Sequence, residues 1–161
     1  ELSKQIADKL QPLVDVGLSY IKLGQSSSTL SGGESQRIKL AYFLSLNRNA
    51  QESRKERIMF IFDEPTTGLH FHDVEKLLKA FDALLDCGNT VIVVEHNLDV
   101  IRAADWVIDI GPEAGDNGGE VVFEGTPEDL VAKGHTHTAD YLRKLSPGSE
   151  PEGGVPGKLQ R

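Results

Sequence analysis

The chain has 161 residues, a length that suggests one domain with a real hydrophobic core. Its 17 basic and 25 acidic residues give a formal net charge of −8, which argues against non-specific binding to nucleic-acid phosphates. The single cysteine, Cys87, excludes a disulfide framework or a cysteine zinc site within the chain, and no apolar stretch is long enough to span a bilayer. Because the chain begins with Glu1 rather than Met and shows no signal peptide, we expect a piece of a longer cytoplasmic protein.

Apolar residues at helical spacing predict a first helix from Leu2 to Val14, which Pro12 should kink or restart and Gly17 should end. A small polar loop follows this helix. The segment from Leu30 to Arg37 comes next, and it is the first stretch whose residue types suggest chemistry.

Ser31 is a good N-cap for a second helix, and Glu34 three residues later completes a capping box. Gly32 and Gly33 let another group approach the backbone closely, and free N–H groups at a helix start attract anions. The segment therefore predicts an anion site. A plain capped helix, with glycines that serve only the turn, remains the alternative. The polar stretch from Arg48 to Arg57 could meet a phosphate backbone or form a solvated loop.

The run from Ile58 to Phe62 is apolar without a break and ends in Asp63 and Glu64. Such a run predicts a strand buried on both faces of a parallel sheet, and the Pro65–Gly68 stretch turns the chain. Open α/β sheets bind ligands at the carboxyl ends of their strands. One acid could then hold a hard cation and the other could accept a proton from an attacking water. Two solvated acids in a loop are the alternative, which the run and the turn disfavour.

The rest of the chain alternates helices and strands. The predicted elements are an amphipathic helix from Val74 to Leu85, strands at 90–94, 106–110 and 120–124, a short helix at 98–104, and a helix that Thr126 caps. This order predicts an α/β fold with a largely parallel sheet flanked by helices. The second strand ends in Glu95-His96-Asn97, again polar residues at a carboxyl end.

The order of these blocks resembles the second half of an ABC-type, P-loop NTPase-like ATPase domain: a signature sequence at Leu30–Glu34, a Walker B strand ending in Asp63-Glu64, and a switch histidine at His96. The fuller blocks 63–70, 95–101, 110–113, 115–120 and 124–127 are similar to the UvrA family, the damage-sensing subunits of bacterial nucleotide excision repair. The tail and the motif spellings resemble the carboxyl-terminal half of those proteins, which carry two ATPase halves.

The resemblance implies a role for each matching residue. Asp63 would position Mg²⁺, Glu64 would be the general base, and His96 would contact the γ-phosphate of ATP. The signature residues would cap a nucleotide held by the opposing half, and Thr66, Thr67 and Gly68 lie in the loop that crosses between halves. The residues expected to contact the nucleotide are Leu30, Ser31, Gly32, Gly33, Glu34, Gln36, Thr67 and Gly68.

The chain has no Gly-x-x-x-x-Gly-Lys-Ser/Thr loop, since Gly157-Lys158 is followed by Leu159 and lacks the earlier glycine. We therefore expect the phosphate-binding loop outside this chain, and an isolated chain that is inactive and self-associates through an exposed apolar edge. The family's zinc would also bind outside the chain. The implied partners are a second copy of the full-length protein, UvrB and damaged double-stranded DNA, with no membrane.

Two alternatives remain: a nucleotide-binding domain of a transporter or drug-resistance protein, and an interaction module without turnover. The histidine pairs His70/His72 and His135/His137 lack evident partners for a zinc site, which needs about four ligands. We divide the chain into a signature helix region (1–56), an α/β lobe of the same domain (57–145) and a flexible tail (146–161).

Overall fold

The computed structural model describes residues 1–49, 57–112 and 118–145, without the side chains of residues 47–49. Most of the predicted loop after Arg48, the blocks at 113 and 115–117, and the predicted tail at 146–161 lie outside these ranges. The chain divides into two compact units, Glu1–Glu95 and His96–Arg161. The predicted division between residues 56 and 57 falls inside the first unit.

The first unit is an α/β structure built around two parallel strands. Strand β1 pairs with β2 in register from Met59↔Thr90 to Asp63↔Val94, and α3 connects the two. This β1–α3–β2 order confirms the predicted α/β fold with a parallel sheet. The elements are α1 (Leu2–Asp15), a 3₁₀ turn (Ser27–Thr29), α2 (Gly32–Asn49), β1 (Met59–Asp63), α3 (Phe71–Asp86) and β2 (Thr90–Val94).

The core of this unit lies on one face of the sheet. Phe62 is buried there, and its ring centroid lies 4.9 Å from that of Phe81 on α3. Each buried aliphatic or aromatic side chain of this kind contributes roughly 1.5–3 kcal/mol relative to exposure. The buried cluster is Val16, Leu18, Leu40, Ala41, Leu44, Phe62, Leu77, Ala80, Phe81 and Leu84.

The opposite face of the sheet is open. Met59 is 61% exposed and Ile61 is 67% exposed, and their β2 neighbours Ile92 and Val94 are exposed as well. The prediction that β1 is buried on both faces is therefore wrong for this chain. Side chains alternate along a strand, so α2 and α3 cover only one of its two faces.

Helix α1 continues through Pro12 to Asp15, so the predicted restart at Pro12 is wrong. Pro12 lies near the carboxyl end of α1 and is buried. Gly17 adopts φ +77°, which suits the predicted stop, because a glycine reaches the left-handed region without a Cβ clash.

In its described residues, 96–112 and 118–145, the second unit contains an antiparallel strand pair and three helices. Strand β3 pairs with β4 antiparallel, with an irregular register between Asp109 and Ile110. The parallel pairing predicted from the sequence thus holds for the first sheet, whereas this second sheet runs antiparallel. Leu130, Ala139 and Leu142 form its buried core. The elements are α4 (Leu98–Ala103), β3 (Val107–Gly111), β4 (Glu120–Gly125), α5 (Pro127–Lys133) and α6 (His137–Lys144).

Candidate functional site

The two acids lie where the sequence predicts, at the carboxyl end of a parallel strand. Asp63 is the last residue of β1, and Glu64 follows it with an exposed side chain. The Glu64 backbone has φ +45°, in the left-handed region that non-glycine residues rarely adopt. Its N–H donates to the Val94 carbonyl at 2.9 Å, so the parallel pairing extends one residue beyond β1.

The loop after the strand, which we call the acid loop (Asp63–Gly68), is held by contacts to its backbone. The Thr67 N–H donates to the Glu64 carbonyl at 3.1 Å, and Gly68 adopts φ +76°. From the end of β2, a Glu95 carboxylate oxygen accepts hydrogen bonds from the N–H of Thr66, at 2.8 Å, and from its hydroxyl. These contacts define the path of the backbone that carries Glu64.

The signature segment forms the predicted capping box. The Ser31 N–H donates to Glu34 Oε2 at 2.7 Å, and the Glu34 N–H donates to Ser31 Oγ at 3.2 Å. The Tyr20 hydroxyl donates to the other carboxylate oxygen of Glu34 at 2.6 Å. The Tyr20 hydrogen bond, followed by that from the Ser31 N–H and the nearby charge of Arg37, lowers the pKa of Glu34. An ionised Glu34 is therefore the form that this helix start favours.

The two signature glycines have different surroundings. A Cβ atom on Gly32 would meet no atom of the described chain within 4 Å, so a ligand can approach the backbone there. A Cβ atom on Gly33 would lie 3.4 Å from the Thr67 carbonyl and 3.5 Å from the Glu64 carbonyl. Gly33 is thus the point at which α2 packs closely on the acid loop. Leu30 is half-buried directly before this helix start.

The second turn of α2 reaches the acid loop through two side chains. The Gln36 amide donates to the Asp63 carbonyl at 2.8 Å and accepts from the Asp63 N–H at 3.0 Å. Arg37 is fully buried, and its Nη1 donates to the Pro65 carbonyl and, at 3.4 Å, to the Thr67 carbonyl. Both polar atoms of Gln36 are thus engaged within the chain. Its predicted contact with the nucleotide stays a prediction.

Sequence reasoning missed Tyr20, Arg37 and Glu95 as parts of this site. A helix pattern places charged residues in solvent, so nothing in the sequence marks Arg37 as buried. The sequence places Glu95 at the carboxyl end of an apolar strand, just as it places Asp63, but this position does not indicate the contact with Thr66. Tyr20 sits on an irregular segment, where no periodicity marks a contact.

His96 is the first residue of the second unit and has an exposed side chain. The next residue, Asn97, is the N-cap of α4 and accepts from the N–H groups of Asp99 and Val100 at 3.0 and 3.3 Å. His96 is therefore followed at once by a capped helix. Its predicted contact with a γ-phosphate stays a prediction.

Within residues 1–49, 57–112 and 118–145, no three His, Cys, Asp or Glu side chains converge as cation ligands. The rings of His70 and His72 lie 5.6 Å apart. None of the helices in these ranges combines the length and the apolar character that a bilayer crossing requires.

Comparisons with known proteins give one consistent result. No protein-family model matches the chain. It is 59% identical over 142 residues to the UvrABC system protein A of Xylella fastidiosa strain 9a5c, and 57% identical over 140 residues to that of Agrobacterium fabrum. These matches cover 88% and 87% of this chain and 14% of each relative. The crystal structure of UvrA2 from Deinococcus radiodurans matches with a TM-score of 0.74 and 43% identity, over 86% of this chain and 16% of that one.

These matches, together with the parallel β1–α3–β2 unit, place the chain in the class of ABC-type ATPase domains. Within that class, the chain belongs to the UvrA family, which confirms the predicted resemblance. The alternative of a transporter domain is not supported by these relatives. Since the chain spans about one seventh of the length of the curated relatives that it matches, what the whole proteins do enters only as a proposal.

Proposed function

We propose that the chain supplies the signature segment, the acids and the switch histidine of an ATPase site in a UvrA protein that acts in bacterial nucleotide excision repair. The observation that carries the proposal is the close packing of α2 on the acid loop within one unit, with Gly33 against the Glu64 and Thr67 carbonyls. One packed unit therefore contains both the helix start that caps one nucleotide and the acids of a second phosphate site.

In this role, Asp63 holds Mg²⁺ and Glu64 takes the proton from the attacking water. An exposed carboxylate at a strand's carboxyl end fits the ion, because Mg²⁺ is usually bound by one or two carboxylates together with the phosphates of a nucleotide. When bound, Mg²⁺ neutralises phosphate charge. His96 contacts the γ-phosphate of that nucleotide. Ser31, Gly32 and Gly33 present N–H groups to a nucleotide held by the opposing half.

The larger context is proposed from family membership. The full-length protein would be a cytoplasmic homodimer that binds damaged double-stranded DNA and UvrB, and this chain would belong to its carboxyl-terminal ATPase half. The net charge of −8 favours a main DNA surface outside this chain, because acidic surfaces repel phosphate.

The test uses a carrier protein: the UvrABC system protein A of Xylella fastidiosa in which this chain replaces the segment that it matches. The equivalent acid of the other ATPase half is changed to glutamine, so that the remaining turnover belongs to this site. Glu64→Gln should then lower ATP turnover by about 10²–10⁴-fold while ATP binding is kept, because the general base is lost and Asp63 remains.

Glu75→Gln is the matched control, since Glu75 lies on α3 and pairs with Lys79 at the surface. It should leave turnover unchanged. If Glu64→Gln also left turnover unchanged in a carrier that hydrolyses ATP, the chain would be an interaction module without catalysis, and the proposal would fail.

A further inference from the structure

The edge of β1 that does not face β2 is paired by a side chain at its last residue. Gln36 offers one donor and one acceptor, and these bind the carbonyl and the N–H of Asp63 at 2.8 and 3.0 Å. This is the pairing that a neighbouring strand would supply, made here by the side chain of a helix. It attaches α2 to the backbone directly before Glu64.

Arg37 attaches the same helix turn to the backbone directly after Glu64. Its Nη1 donates to the carbonyls of Pro65 and Thr67. Within the described residues, its Nε and Nη2 have no hydrogen-bond partner, although the side chain is fully buried. A buried charge whose hydrogen bonds go to carbonyls, with the Glu34 carboxylate nearby but not hydrogen-bonded to it, is a poor source of stability, because desolvation opposes it. Its two carbonyl contacts point instead to a role in the position of the acid loop.

The backbone at Glu64 needs such support. A non-glycine residue at φ +45° is strained, and strained residues persist where the surrounding contacts over-determine them. Gln36 holds the residue before Glu64, and Arg37 holds the residue after it. The Val94 carbonyl accepts from the Glu64 N–H itself.

We propose that Gln36 and Arg37 are positioning residues, which hold the Glu64 backbone in its left-handed conformation and so aim the water-activating carboxylate. The proposal rests on the proposed function, because it assumes that Glu64 is the base. Its consequence is that the first turn of α2 caps one nucleotide while the second turn places the base of another site. A single helix then carries parts of both sites.

The test measures kcat and KM for ATP in the carrier protein described above. Arg37→Met keeps the apolar stem and removes the charge together with its desolvation cost, but the Pro65 and Thr67 carbonyls lose their donor. We expect its kcat to fall about tenfold or more, with KM changed less than about threefold, as for the loss of an interaction made in the transition state. Its unfolding temperature is measured beside kcat. Arg37→Lys should recover part of kcat, because its ammonium can donate to one of the two carbonyls.

Gln36→Ala gives a second and independent measurement, since it removes both bonds to Asp63 from a half-buried position. Gln36→Ala should lower kcat in the same way. If Arg37→Met lowers the unfolding temperature, Gln36→Ala is the variant that tests the positioning role. Lys39→Ala, at an exposed position of the same helix, is the matched control and should leave kcat unchanged. A kcat for Gln36→Ala equal to that of the carrier protein would overturn the proposal.

A double-mutant cycle separates this inference from the proposed function. If Arg37 acts through Glu64, Arg37→Met should add no further loss in the Glu64→Gln background. Independent, multiplicative losses would overturn the positioning role while Glu64 remained the base. A carrier protein in which Glu64→Gln has no effect would instead reject the proposed function.

Discussion

The backbone at Glu64 is the clearest point of strain at the scale of single residues. A residue with a Cβ atom is destabilised by roughly 1–2 kcal/mol in the left-handed region, whereas glycine is not. Glu64 therefore occupies a position that, by backbone preference alone, belongs to glycine. A carboxylate at this position is consistent with selection for its chemistry over stability.

This strain predicts an inverted order of stability for two substitutions at residue 64. At most positions glycine is less stable than alanine, but here Glu64→Gly should have a free energy of unfolding about 1 kcal/mol higher than that of Glu64→Ala. Both variants lose the same side-chain contacts, so their difference reports the backbone. Urea unfolding of the two chains measures it, and an alanine variant as stable as the glycine variant would show that φ is not held at +45°.

The capping-box carboxylate gives a second prediction, on pH. The pKa of Glu34 is lowered below 4.5, first by the Tyr20 hydroxyl. Its ionised form thus adds stability that is present above about pH 4.5 and is lost as the pH falls through the lowered, folded-state pKa. Tyr20→Phe should move the pKa of Glu34 upward, back toward 4.5, in an NMR titration of side-chain carboxyl shifts.

Glu75 is the internal reference for that titration. Its pKa is also lowered, but by Lys79 on the same helix, so Tyr20→Phe should leave it in place. A Glu34 pKa that does not respond to Tyr20→Phe would mean that the hydroxyl does not hold the carboxylate in solution.

At the scale of secondary-structure elements, local sequence patterns predicted most of what the structure shows. The capping box at Ser31, the amphipathic α3, the strand ending at Asp63 and the Thr126 cap of α5 all depend on residues within a few positions of one another. Such short-range signals can be read directly.

Long-range contacts could not be read in this way. Arg37 meets Pro65 across 28 positions, and Thr66 meets Glu95 across 29, so only the folded chain brings them together. The antiparallel pairing of β3 with β4 is not predicted by its apolar strands alone, because an apolar run does not indicate the direction of its neighbour. The Asn117-Gly118 pair between these strands is a usable hairpin-turn signal for an antiparallel pair, which the prediction of a largely parallel sheet left unused.

Helix α4 supplies the prediction at this scale. It has six residues, and the Asn97 side chain accepts from two of its first N–H groups. Asn97→Ala should lower the free energy of unfolding by about 1 kcal/mol, because the cap is lost. Asn97→Asp should keep most of the stabilisation by the cap, because an aspartate also caps and its negative charge suits a helix start. Trp106, the only tryptophan, reports the second unit by fluorescence in urea. Equal midpoints for Asn97→Ala and the parent chain would rule out the cap as a source of stability.

At the scale of the whole molecule, the chain carries the two acids of the proposed phosphate site and leaves apolar sheet surface uncovered. Met59, Ile61, Ile92 and Val94 expose one face of the parallel pair. Contiguous exposed apolar surface marks an interface with another segment or molecule. The same chain spans 14% of the length of the curated relatives that it matches.

The absence of a phosphate-binding loop from the sequence predicts how the chain alone interacts with ATP. The N–H groups and the lysine of a Gly-x-x-x-x-Gly-Lys-Ser/Thr loop hold the phosphates of a nucleotide, and no such loop occurs in these 161 residues. In calorimetry, the chain alone should therefore bind MgATP with a Kd above about 1 mM. An ATPase assay of the chain alone should show no measurable turnover. The carrier protein, which supplies the loop, should bind ATP and hydrolyse it. A tight, magnesium-dependent affinity of the chain alone would mean that its helix start and acids suffice to hold a nucleotide. A phosphate-binding loop from outside the chain would then be unnecessary for binding.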